Sequence, residues 1–159
     1  MQLEADAKRD AAKPRRRRDD PEHQLQCLAI QWVALRTGRY PELELLHAIP
    51  NAARRTKRER GRLLAEGLKA GVWDLFLPVP RCGFAGLYLE TKIHERRPVG
   101  GKVRMVKTSL TPAQRDWQQR VREQGYCCRV YHNLEELEAI LIDYLEGRLP
   151  RTAEEPGLR

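Results

Sequence analysis

Two short apolar runs, Gly71-Val72-Trp73-Asp74-Leu75-Phe76-Leu77 and Gly86-Leu87-Tyr88-Leu89-Glu90-Thr91-Lys92, each carry a carboxylate. Pro78 to Gly83 between them has turn chemistry, so the pair reads as an antiparallel hairpin. Side chains alternate along a strand, which puts Glu90 and Lys92 on one face and leaves Leu87 and Leu89 to pack on the other. Neighbouring strands would bring Asp74 and Glu90 to a single hard cation, the oxygen-donor chemistry that Mg²⁺ or Mn²⁺ requires. Lys92 beside them is suited to hold or activate a water, or to offset phosphate charge. The plain alternative is a surface Glu/Lys pair on an edge strand.

A length of 159 residues implies one domain with tails and enough chain for a real core. Residues 1–20 read as a basic flexible arm, 21–147 as the folded domain and 148–159 as a tail. The net charge of +8 and a pI near 9.6 favour an anionic partner, with nucleic acid the first candidate. No apolar run approaches the roughly 18 residues that a membrane span needs, and the polar N-terminus does not resemble a secretory signal. Cys27, Cys82, Cys127 and Cys128 form no CxxC pair and show no zinc-ligand spacing, so they read as free thiols in a reducing cytosol. In an alternating strand one of Cys127 and Cys128 would face the core.

Taken in order, the arm holds seven basic and five acidic residues without an apolar face, so it reads as mobile. Asp20 is a candidate N-cap and Pro21 suits the first helical position. Leu25, Leu28, Ala29, Trp32 and Leu35 predict a helix over 21–36. Glu22 and Gln26 share its first-turn face; a carboxylate there is favoured by the helix dipole alone, and it could also aim at a metal. Leu43 to Ile49 reads as a strand that ends at Pro50-Asn51. Six of the nine residues from Arg54 to Arg62 are basic, a density that suits phosphate contact. That run leads into a helix through Leu63, Leu64 and Leu68. Residues 94–108 are basic, carry Pro98 and Gly100-Gly101, and read as a loop or an extended excursion over the substrate. Thr111 caps a helix that starts at Pro112, with Trp117, Val121 and Ala113 as its apolar stripe, and Gly125 ends it. Tyr126 to Tyr131 is an apolar strand. Asn133 caps a last helix to about Gly147, with Ile140, Leu141, Tyr144 and Leu145 buried. His23, His47, His94 and His132 show no paired spacing. Trp32 and Trp117 sit at core spacings.

The order of elements resembles the core of the PD-(D/E)XK nuclease superfamily, and more narrowly the VRR-NUC family of virus-type replication and repair nucleases. The residues that carry the likeness are Glu22-x-x-x-Gln26, Ile49-Pro50-Asn51 with Arg54, Gly71-Val72-Trp73-Asp74-Leu75, Leu89-Glu90-Thr91-Lys92, and Leu110-Thr111-Pro112-Ala113-Gln114 with Trp117. Together they span Glu22 to His132. One departure is Trp73, which stands where the family usually has proline before the first acid. The resemblance implies an α/β restriction-endonuclease-like fold with a central mixed sheet flanked by helices. It implies a Mg²⁺-dependent endonuclease, with Mn²⁺ able to substitute, that acts on branched DNA as a homodimer. Asp74, Glu90, the Thr91 carbonyl and Glu22 would bind the metal. Lys92 would position or deprotonate the water, and Gln114 would orient the metal site or the phosphate. Asn51, Arg54, Arg55, Lys57, Arg58, Arg60 and Lys69 are the candidate DNA contacts. A cytoplasmic, nucleoid-associated enzyme of bacterial or phage origin, with no membrane or small-molecule cofactor, would follow. A restriction-type enzyme, a non-catalytic nucleic-acid-binding module and a basic structural protein are the competing readings.

Overall fold

The computed structural model describes residues 20–50, 57–99 and 102–150. The chain runs through α1 (Pro21–Arg36), β1 (His47–Ala48), α2 (Lys57–Ala65), β2 (Leu75–Leu77), β3 (Leu87–Thr91), β4 (His94–Val99), β5 (Lys102–Lys107), α3 (Pro112–Glu123), β6 (Cys127–Tyr131) and α4 (Leu134–Leu145). The main sheet has the order β1-β2-β3-β6. β2 pairs antiparallel with β1 and β3, in register Leu75↔Leu89, while β6 lies parallel to β3 in register Leu87↔Cys127. The α3 crossover makes that parallel pairing possible. The mixed sheet with helices on both faces is the architecture anticipated above.

Alternation along the strands builds two cores. Leu75, Leu77, Leu87, Leu89, Cys127 and Tyr131 face α1 and α4, meeting Leu25, Ala29, Trp32, Val33, Leu137, Leu141 and Tyr144. Trp73, Val121 and Cys128, with Tyr88, Trp117, Tyr126 and Val130, fill the other side under α3. Cys127 and Cys128 are therefore both buried, one per face, because the sheet is covered on both sides. None of the four cysteines is in a disulfide. Phe76 stacks on its cross-strand partner Tyr88 at 4.4 Å, and Tyr126 and Trp117 meet Tyr88 edge-on.

Some expectations give way. Leu43–Ile49 is not a strand: Pro41–Leu45 forms a 3₁₀ turn and only His47–Ala48 pairs with β2. Leu43 and Leu46, three residues apart, both reach the core, which is 3₁₀ spacing rather than strand spacing. In α1, Leu28 and Leu35 are 49% and 84% exposed, because the stripe Leu25-Ala29-Trp32-Val33 is the line that meets the sheet. Ala113 is likewise exposed in α3. Of the two readings of 94–108, a loop or an extended excursion, the extended one holds: His94–Val99 and Lys102–Lys107 pair as antiparallel strands. Among the described residues, no helix is long and apolar enough to cross a membrane.

Candidate active site

Asp74 is pinned from two sides at the lead-in to β2. Its carbonyl accepts from the Ile49 N–H at 2.8 Å, and its Oδ2 accepts from the Thr91 N–H at 3.0 Å. The first acid is thereby tied to the strand that carries the second. Thr91 is held in turn by the buried Tyr131 hydroxyl, 2.7 Å from its Oγ1. Burial pushes the Tyr131 phenol well above its usual range, so it stays a neutral hydrogen-bonding group.

Glu90 is 1% exposed and lies on the α3 side of the sheet, with Lys92 nearly as buried. Lys92 Nζ donates to Glu90 Oε1 at 2.7 Å, as the two-residue spacing requires. Gln114 Nε2 donates to the same oxygen, while Gln114 Oε1 accepts from the Thr111 N–H at 2.9 Å. Thr111 Oγ1 closes a capping box by accepting from the Gln114 N–H at 3.2 Å. The cap that starts α3 thus also fixes the amide that touches Glu90. Glu22, in the first turn of α1, places Oε1 4.0 Å from Lys92 Nζ. Asp20 caps α1 by accepting from the His23 N–H.

The carboxylates strain against one another. Desolvation, then the charge of Asp74, raises the Glu90 carboxyl to about 7 against the pull of Lys92. Burial raises Glu22 as well, with Asp74 and Glu95 adding to the rise. Glu90 Oε2 is buried and has no hydrogen-bond partner. A buried carboxylate oxygen left this way is costly in a dry interior, and a cation beside it would offset that cost. Among the described residues, no three His, Cys, Asp or Glu side chains converge into a ready metal cage. Mg²⁺ does not need one, since it keeps several waters and is held through one or two carboxylates. Asp74 and the spare oxygen of Glu90 therefore fit a hard divalent cation, with Glu22 at the rim.

Trp73 has a structural role beside Asp74. It is fully buried, and its indole N–H donates to the Gln114 carbonyl at 3.2 Å, so it anchors the residue before Asp74 to α3. Of the proposed DNA contacts, Arg58 and Lys69 are exposed. Lys57 and Arg60 lie along α2. Asn51, Arg54 and Arg55 fall outside the described residues, as do the arm before Asp20 and the tail after Pro150. Glu136 Oε2 accepts from the His132 backbone N–H at 2.8 Å and lies 3.0 Å from its Nδ1, so that histidine is engaged by α4. Sequence reasoning missed Tyr131 and Trp73 as supports of the site, because both act through contacts dozens of residues away.

No family model matches the sequence, and no curated protein is significantly similar to it. A solved structure described as a VRR_NUC domain protein superposes with a TM-score of 0.60 at 22% identity, covering 79% of this chain and 88% of that one.

Proposed function

We propose that this chain, which has a VRR-NUC-like and so nuclease-type fold, is a divalent-metal-dependent DNA endonuclease, and that its preferred substrate is branched DNA such as a four-way junction or a flap. The observation that carries this reading is buried Glu90, with one oxygen held by Lys92 and Gln114 and the other without a partner, beside Asp74. Asp74 and Glu90 would hold Mg²⁺ or Mn²⁺ together with the Thr91 carbonyl, and Glu22 would join directly or through water. When bound, the cation supplies Lewis-acid polarisation of the phosphodiester and neutralises charge on the leaving oxygen. Lys92 holds the attacking water or takes its proton. Gln114 keeps Glu90 in place from the α3 cap. Water attacks phosphorus, one P–O ester bond breaks, and the leaving hydroxyl takes up a proton. A homodimer would offer two such sites to a two-fold-symmetric junction.

The test is cleavage of labelled linear duplex, single strand, flap and four-way junction, each with Mg²⁺, Mn²⁺ or EDTA. Metal-dependent cutting of the branched forms supports the reading. Binding without cutting in either metal would reduce the chain to a nucleic-acid-binding module, and cutting of one duplex sequence would make it a restriction-type enzyme.

A further inference from the structure

Among the described residues, the β4–β5 ribbon lies outside the main sheet and its strands pair with each other alone. Among the described residues, its two strands approach each other far more than they approach any other element. His94 to Lys107 carries five basic residues, Arg96, Arg97, Lys102, Arg104 and Lys107, against one acid, Glu95. Arg97 stands directly opposite Arg104, and Val99 opposite Lys102. Like charges across an antiparallel pair destabilise it. Such a ribbon is best matched by a polyanion. Its base is fixed: Thr108 N–H donates to the Ile93 carbonyl at 2.9 Å, and the Thr108 hydroxyl accepts from the Ile93 N–H at 3.1 Å. Ile93 in that base directly follows Lys92. A cavity of about 490 Å³ between ribbon and α1 is lined by Asp20, Pro21, Glu22, Ile93, His94 and Glu95. The ribbon therefore springs from the rim of the candidate active site.

Resting on the nuclease reading above, we propose that this ribbon grips duplex DNA by lying in the major groove of the arm next to the scissile phosphate. Six residues per strand reach about 20 Å, and a two-stranded ribbon fits a groove about 12 Å wide. The A-form RNA major groove is too narrow to admit it. The strands' charges contact phosphates on both walls while the base holds the groove in register with Glu90.

The experiment is duplex-DNA binding by fluorescence anisotropy in EDTA, titrated with salt, for the wild type, Arg97→Gln/Arg104→Gln and Arg97→Lys/Arg104→Lys. The Gln pair should weaken binding about 10-fold or more at physiological salt and lower the log K against log salt slope by about 2. The Lys pair should restore most of the slope. Equal slopes in wild type and Gln pair, or equal losses in both variants, would overturn the ribbon's role. Equally tight, equally ribbon-dependent binding of an RNA duplex would overturn the groove assignment. Because binding is read without hydrolysis, failure of the nuclease reading shows separately, as absent cleavage by the wild type with Mg²⁺.

Discussion

Glu90 has to ionise to bind a cation, yet its surroundings resist ionisation. Its carboxyl is raised from 4.5 to about 7, so in the metal-free protein the folded state binds more protons than the unfolded chain across that window. This contribution to stability is present below about pH 4.5 and lost as pH rises through about 7. Glu90→Gln removes the titration. Between about pH 4.5 and pH 8 the stability of the variant relative to wild type should therefore rise by about 1–3 kcal/mol. Chemical denaturation in EDTA at the two pH values measures it, and parallel pH profiles would contradict it. At the same scale, Asp74→Ala and Lys92→Ala should each lower cleavage by about 10²–10⁴-fold. Both should leave DNA affinity within a few-fold, since neither belongs to the basic surface. Loss of binding in both would remove these residues from the chemistry.

At the scale of elements, the site depends on how β2 and α3 are joined. Gly71 has φ +81, and a Cβ there would overlap the Ala113 carbonyl and its backbone carbon. Gly71→Ala should cost about 2 kcal/mol or more, from strain and overlap together, and should lower cleavage by displacing Asp74 from Glu90. A thermal melt within about 2 °C of wild type would show that the junction tolerates a side chain. Thr111→Ala should cost about 1 kcal/mol through the lost cap and loosen Gln114 from Glu90. Much of this level was legible in the sequence. Asp20-Pro21 and Thr111-Pro112 are local cap signals, and both helices start where those residues say. Glu90 and Lys92 share a face because strand period is local too. Leu43–Ile49 misled because its apolar residues suit two periods, and burial of Leu43 and Leu46 against the distant sheet decides between them. The β4–β5 hairpin did leave a signal, Gly100-Gly101 between alternating residues, but Pro98 and the charge density obscured it. The anchoring of Thr91 by Tyr131 and of Trp73 on α3 arises only from long-range register, which no local pattern encodes.

At the scale of the molecule, the positive charge is unevenly set. The acids of the site cluster at the ends of β2, β3 and α1, while basic residues crowd 54–62 and the β4–β5 ribbon. Neutralising Arg54, Arg55 and Arg58 should reduce the salt slope of DNA binding by about 2–3, and an unchanged slope would make that run a solvated face. The relation of the fold to a VRR_NUC domain protein gives the nuclease reading its frame, but the carboxylate pair Asp74 and Glu90 is its centre. The most direct test is single-turnover cleavage of a four-way junction across a Mg²⁺ titration, with wild type and Glu90→Ala side by side. Cutting that saturates with Mg²⁺ in the wild type and is absent in Glu90→Ala, with junction binding retained, is the expected result. Cutting that persists in EDTA, or survives unchanged in Glu90→Ala, would contradict it.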